Sequence, residues 1–262
     1  MTLKLKNFHE RDKRIIFDEQ PHIYYVDGEA YKTSVTKFIH SFFSKFDAEE
    51  IISKYYNKWQ QNPNNKYFGM SPEEIKQSWE DLGKRESEKG TILHKDIENF
   101  YNGLKVTNYT KEYKLFIKYF NEHKNLEAFR TEWEIFDEQL KLAGSIDICY
   151  IDKNSGNFIL ADWKRSKEIK MNNYWQKGKF PVNKLDDCNY YHYSLQLNIY
   201  RLLLKKNYGL DIKDMFLVRL HPNTDFYEKI PVEFLEEEAQ MLLDFRLKQL
   251  SEQKKEIIEN II

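Results

Sequence analysis

Cysteine is scarce in this 262-residue chain: Cys149 and Cys188 stand far apart and in no CxxC spacing. That argues against a zinc site or an iron–sulfur cluster and suits a reducing compartment. Long apolar runs are missing, and the opening residues, MTLKLKNFHERDKR, lack the apolar core of a signal peptide. A soluble, intracellular protein with no membrane contact is therefore expected. Charge of one sign is not in excess either, since 41 Lys and Arg face 42 Asp and Glu for a formal net charge of −1. No global basic field advertises nucleic acid, so any such binding must come from a local patch. Internal repeats and low-complexity linkers are also lacking.

What is present suffices for a sizeable core, with 41% hydrophobic residues. Residues 1–20 are polar and basic, a loose arm or a first strand. HIYYVDGEAYKTSVTKFI reads as a hairpin turning at Asp27-Gly28, with Thr33 or Ser34 capping a helix after it. Residues 47–59 carry a helical apolar stripe. Ser71-Pro72-Glu73-Glu74 starts a helix expected to break near Gly83 or Gly90. A further helix then holds TILHKDIENFY, and TKEYKLFIKYFNEH forms the next. TEWEIFDEQLKLAGSIDICYI and NFILADWK are strand-like. YYHYSLQLNIYRLLLKKNYG is a helix ending at Gly209, DMFLVRLHP a strand, and residues 231–258 a long last helix. Helices, a three-strand meander, a helix, a strand and a helix make a mixed α/β core.

Chemistry concentrates in residues 143–167, AGSIDICYIDKNSGNFILADWKRSK. Asp152, Asn154, Ser155, Gly156 and Asn157 cluster as a turn between two strands. Asp162 and Lys164 are two apart and leave the same face of the second strand. If Ile151 pairs with Phe158, Asp147 falls opposite Asp162. Facing carboxylates repel unless a cation sits between them, and a divalent metal prefers such oxygens. An exposed hairpin with solvated charges is the plain alternative.

Three other elements point to the same place. His94 and Glu98 are four apart on one helix face, suiting a metal site or its support, or an ordinary surface or core histidine. Glu132 and Glu134 share a strand face, and either can rim a metal site or simply be solvated. Gln196 and Tyr200 are also four apart, with Tyr193 three residues before Gln196. They suit a hydrogen bond to phosphate or carboxylate, or core packing.

In order, these residues read G-x-x-x-H-x-x-x-E, G-S-I-D, D-W-K and Q-x-x-x-Y, which resembles the PD-(D/E)XK nuclease superfamily over roughly residues 85–205. Its RecB-like and lambda-exonuclease-like branch, acting on DNA ends, is the nearer likeness. The resemblance implies a restriction-endonuclease-like core, a central mixed sheet flanked by helices, with an N-terminal helical elaboration. One domain, residues 1–262, is expected: hairpin and helical wall over 1–85, catalytic core over 86–220, C-terminal helix over 221–262. It implies Mg²⁺ or Mn²⁺ held by Asp147, Asp162, the Trp163 carbonyl and His94. Lys164 would position or activate water and stabilise phosphate charge. Gln196 and Tyr200 would support the site, and Glu98, Glu132 and Glu134 would be secondary. Such enzymes typically leave a 5′-phosphate and a 3′-hydroxyl. The second acid is Asp rather than Glu, which the family allows, and the cysteine cluster of its iron–sulfur members is absent.

Residues 166–184 are basic with interleaved aromatics, a composition that suits a single strand of DNA: cations track the backbone and rings stack on bases. Arg165, Lys167, Lys170, Tyr174, Trp175, Lys177 and Lys179 are the candidate DNA contacts, against a plain solubilising loop. The implied activity is a metal-dependent exonuclease of replication, recombination or repair. A metal-dependent RNA endonuclease and a member that only binds nucleic acid are the rivals.

Overall fold

Local rules account for most of the elements in the computed structural model, which describes residues 1–259. Asp27 and Gly28 both take positive φ, 51° and 82°, the two-residue turn that matches strand twist. It joins β2 (Ile23–Val26) to β3 (Glu29–Tyr31), and β1 (Ile15–Asp18) completes a three-stranded antiparallel sheet. The Ser34 hydroxyl accepts from the Lys37 N–H at 3.2 Å and caps α2 (Val35–His40). Asp47 does the same for α3 (Ala48–Gln60).

α4 (Pro72–Tyr101) begins in a capping box, the Ser71 N–H donating to Glu74 at 2.7 Å and the Glu74 N–H to Ser71 at 3.2 Å. It runs unbroken through Gly83 and Gly90 for 30 residues, where a break was expected. A helical glycine costs only about 1 kcal/mol relative to alanine, and buried Ile75, Leu93 and Ile97 set the helix by packing.

The main sheet has order β4-β5-β6-β7-β8. It comprises β4 (Leu126–Asp137), β5 (Leu142–Asp152), β6 (Phe158–Lys164), β7 (Ile212–Arg219) and β8 (Glu228–Pro231). All neighbours are antiparallel except β6 and β7, which α6 (Asn189–Tyr208) joins as a crossover. Gly209 closes α6 in the left-handed conformation, φ 68°. α5 (Lys111–Glu122) packs on one face of β6, Phe116 and Tyr119 lying 5.5 and 5.4 Å from the Trp163 ring. α6 covers the other face, with Tyr193 beneath Lys164. This is a mixed α/β fold, a five-stranded mixed sheet flanked by helices.

Three further points differ from the sequence-based expectation. β8 precedes the last helix, because EKIP is too short and too mixed to show a period, and α7 starts only at Glu236. Residues 260–262 lie outside the described residues. β4 starts five residues before TEWEIF. The N-terminal arm is structured: α1 (Leu3–Lys6) and a 3-10 turn at Glu10–Lys13 precede β1, and Asp12 is buried against Arg130 of β4.

The chain divides into two compact units: Lys45–Lys95, and Met1–Ser44 together with the chain from Asp96 onward. The smaller unit has its own aromatic cluster, in which Trp59, Tyr67 and Trp79 pack mutually and Trp79 Nε1 donates to the Tyr67 hydroxyl at 2.6 Å. Among the described residues no helix is long and apolar enough to cross a membrane.

Candidate metal centre

The β5–β6 hairpin has the register that the turn composition implies, Ile151 opposite Phe158. The ladder continues to Ile148 opposite Ala161, and Asp147 and Asp162 are the next residues on each strand. There the Trp163 N–H donates to Asp147 Oδ2 at 2.8 Å instead of continuing the strand pairing.

On the other side of β5, Thr131 pairs with Ile148 and Trp133 with Ile146, which sets Glu132 against Asp147. Carboxylate oxygens of Glu132 and Asp147 lie within 4.8 Å of each other. Glu132 has φ 40°, a left-handed value that costs a non-glycine residue of order 1–3 kcal/mol and tends to mark functional sites. Its Oε2 accepts from the Ser145 hydroxyl at 3.0 Å. Glu134, the other candidate, pairs with Lys4 of α1 at 3.0 Å.

Glu132, Asp147 and Asp162 therefore form a row of acids across three adjacent strands. Opposed like charges destabilise a sheet. Lys164 supplies local compensation: its ammonium pairs with the buried Asp162 carboxylate and lies 4.4 Å from the Tyr193 ring centroid. Burial pulls the Lys164 pKa down, but Asp162 and Asp147 outweigh it and the net shift is upward. Lys164 is thus held as a cation suited to stabilising negative charge.

Gln196 and Tyr200 of α6 act on the row indirectly. Tyr200 is fully buried, burial pushes its phenol pKa well up, and its hydroxyl accepts from Gln196 Nε2 at 3.2 Å. A Cβ on Gly144 would sit 2.5 Å from the Tyr200 oxygen and 2.8 Å from Cε1. The glycine of G-S-I-D is needed because a tyrosine ring occupies the side-chain space, three residues before Asp147. Gly144→Ala should destabilise the protein by about 1–3 kcal/mol through overpacking. Adding Tyr200→Phe should recover part of that loss, a non-additivity visible in denaturant melts. A single Gly144→Ala variant as stable as the parent sinks the packing account.

His94 and Glu98 both lie on α4, His94 in the smaller unit and Glu98 in the larger. Trp163 buries its ring on the α5 face, opposite the acids. Arg165 is not a surface cation: its Nε pairs with Glu112 Oε1 at 2.8 Å and its side chain is 5% exposed. This ion pair ties the residue after β6 to α5.

The other candidate contacts lie on residues 166–188, an irregular segment with only an isolated bridge between Lys177 and Asp186. Lys167, Lys170 and Lys179 are exposed, as are Tyr174 and Trp175 at 85% and 93%, while Lys177 pairs with Asp186 at 2.7 Å. The segment is stapled rather than open. Arg219 Nη1 donates to the Lys167 carbonyl at 2.8 Å, and Asn173 Nδ2 to the Asp187 carbonyl at 2.7 Å.

Sequence inspection missed Tyr24, Thr36, His40 and His192. Tyr24 of β2 is buried. Its phenol pKa is raised by burial first and then by the charges of Glu132, Glu134 and Asp147, so it faces the acid row. Nothing in the hairpin sequence marks this, because the contact spans more than a hundred residues.

No family model matches the chain, and no curated protein matches it. Among solved structures, the crystal structure of SSO0001 aligns over 82% of this chain and 84% of its own, with 15% identity and a TM-score of 0.30. A likeness at that level carries no argument about fold family or function.

Proposed function

We propose that the chain is a metal-dependent deoxyribonuclease with a restriction-endonuclease-like core, hydrolysing phosphodiester bonds from DNA ends in replication, recombination or repair. The observation that carries this reading is the row of Glu132, Asp147 and Asp162 across β4, β5 and β6 with Lys164 against it. A hard divalent cation fits this donor set, since the carboxylates are oxygen ligands whose mutual repulsion it would relieve. Asp147, Asp162 and the Trp163 carbonyl would hold Mg²⁺ or Mn²⁺, with Glu132 at the rim; the sequence motif adds His94. When bound, the ion would lower the pKa of water and offset charge on phosphate.

The remaining work falls to the chain's own groups. Lys164, held as a cation, stabilises the charge that develops on the phosphate oxygens. Asp162 in turn holds the Lys164 ammonium in place. Gln196 and Tyr200 fix the β5 backbone at Gly144 and so the position of Asp147. Tyr174, Trp175 and the exposed lysines of residues 166–188 offer stacking rings and cations to a single strand.

The test uses linear DNA labelled at either end, single- and double-stranded, with closed circles as control, in Mg²⁺, Mn²⁺ or EDTA. Label lost from ends only, and not in EDTA, is the expected result and reveals polarity. Circles cut as fast as linear DNA would make the protein an endonuclease. DNA left intact in either metal would end the deoxyribonuclease reading.

A further inference from the structure

We propose that α2 and α6 form an anion subsite for a phosphate group of the substrate strand, built from His40, His192, Thr36 and Gln196 beside Lys164. Identification of the anion as a substrate phosphate rests on the nuclease reading; its charge does not.

The four side chains come from two facing helical rows. Thr36 and His40 are four apart on α2, and His192 and Gln196 four apart on α6, so each pair shares a helix face. Gln196 Nε2 donates to Thr36 Oγ1 at 3.2 Å, which joins one end of the rows. At the other end the rings of His40 and His192 are 5.6 Å apart. Tyr193, the residue after His192, carries the Lys164 ammonium over its ring. Thr36 and His40 are exposed and His192 and Gln196 half-buried, so the rows open to solvent along α2.

His192 is oriented from two sides. Its Nε2 lies 3.0 Å from Asp187 Oδ1, and the Phe43 ring packs 4.1 Å from its own. The other Asp187 oxygen accepts from the Ser44 N–H at 3.0 Å.

The charges facing His40 are Lys164 from β6 and Asp187 from the turn before α6, with His192 of α6 stacked beside it. Partial desolvation of the ring lowers the His40 pKa, Lys164 lowers it further, and Asp187 opposes them, the net shift being downward. His192 is also lowered, by burial first, with Asp187 opposing and His40 adding to the fall. Of the charges facing His40, Lys164 is answered by Asp162 and Asp147, and Asp187 by His192 and the Ser44 N–H. A phosphate between the imidazoles takes charge-assisted hydrogen bonds from both as they protonate.

Position favours a substrate phosphate. The Lys179 N–H donates to the Phe42 carbonyl at 2.6 Å, two residues beyond α2. The basic segment is therefore tied to the chain two residues beyond His40, at the end of α2.

Two probes test this on the full chain in EDTA, so that nothing is cleaved. Inorganic phosphate and pyrophosphate are titrated in while histidine imidazole signals are followed by NMR, with His40→Gln and His192→Gln giving the assignments. Both signals should shift and the His40 pKa should rise, because an anion favours the imidazolium. In parallel, anisotropy of a labelled single-stranded oligodeoxynucleotide should show binding tightening several-fold from pH 7.5 to 5.5, with most of that gain lost in His40→Gln. His40 is exposed, so its variant should melt like the parent; if His192→Gln folds poorly, His40→Gln carries the test. A response in either probe that disappears in His40→Gln supports the subsite, and no such response in both overturns it. A protein that cleaves no DNA yet binds phosphate at His40 keeps the subsite and loses the nuclease reading.

Discussion

Asp147→Asn is expected to abolish metal-dependent DNA cleavage while raising the melting temperature of the metal-free protein by about 1–4 °C. The two effects share one cause. Asp147 stands between Glu132 and Asp162 on neighbouring strands, and an opposed like-charge pair costs about 0.2–1 kcal/mol. In a chain of this size, each kcal/mol moves the midpoint by roughly 2–4 °C. Asparagine keeps an acceptor for the Trp163 N–H, so the hydrogen bond that positions the side chain survives. Charge for a cation is lost, and the loss of several kcal/mol of transition-state stabilisation means a fall of about 10³-fold or more.

Asp162→Asn should also remove activity, but with the opposite effect on stability. Its carboxylate is buried and paired with Lys164, and removing one partner leaves a buried charge uncompensated. Lys164→Ala should lower turnover by about 10²–10³-fold, the range for loss of one preorganised charge-stabilising group, while DNA binding persists. End-labelled DNA cleavage and calorimetry in EDTA, run on all three variants, check the set. An Asp147→Asn enzyme within about tenfold of the parent would remove the acid row from the chemistry.

The largest stability effect belongs to Asp12. Its Oδ2 accepts from Arg130 Nη1 at 2.8 Å and from the His9 N–H at 3.0 Å, and its Oδ1 accepts from Trp133 Nε1 at 3.1 Å. The Asp12 and Arg130 side chains are 2% and 1% exposed. Asp12→Ala strands a buried guanidinium and should cost about 3–5 kcal/mol. Replacing both partners with apolar residues, Asp12→Leu with Arg130→Met, should cost clearly less than Asp12→Ala, because no buried charge is left over. Urea melts of the two variants decide; equal losses would mean that packing, not the charge, matters.

A pH dependence follows from the same group. Burial pushes the Asp12 pKa up, but its hydrogen bonds and Arg130 prevail and the net shift is downward from 3.8. Asp137, held by Asn207, Lys206 and the Leu140 N–H, is likewise depressed on balance despite burial. A carboxyl depressed by folding stabilises above its unfolded pKa, and that contribution is lost as pH falls through its folded value. Stability should therefore drop steeply below about pH 4, and less steeply in the double variant lacking the Asp12 pair.

Where one residue's neighbours in the chain decide its conformation, the sequence alone was enough. The Asp27-Gly28 turn, the Ser71–Glu74 capping box and the Gly209 stop are local, their partners lying within a few residues. The pairing of Ile151 with Phe158 belongs with them, because a short turn sets register and a period of two then aligns Asp147 with Asp162. What depended on residues distant in the chain was settled only by tertiary packing. Glu132 rather than Glu134 joins the acids because of a local left-handed backbone and because Lys4 takes Glu134. Arg165 is buried because Glu112 of α5 meets it. Tyr200 presses on Gly144, Asp12 locks the N-terminal arm to β4, and His40 meets His192 across 152 positions of sequence. Such contacts leave no period or spacing in the chain, since their energy comes from charge and close packing between segments that only the fold brings together.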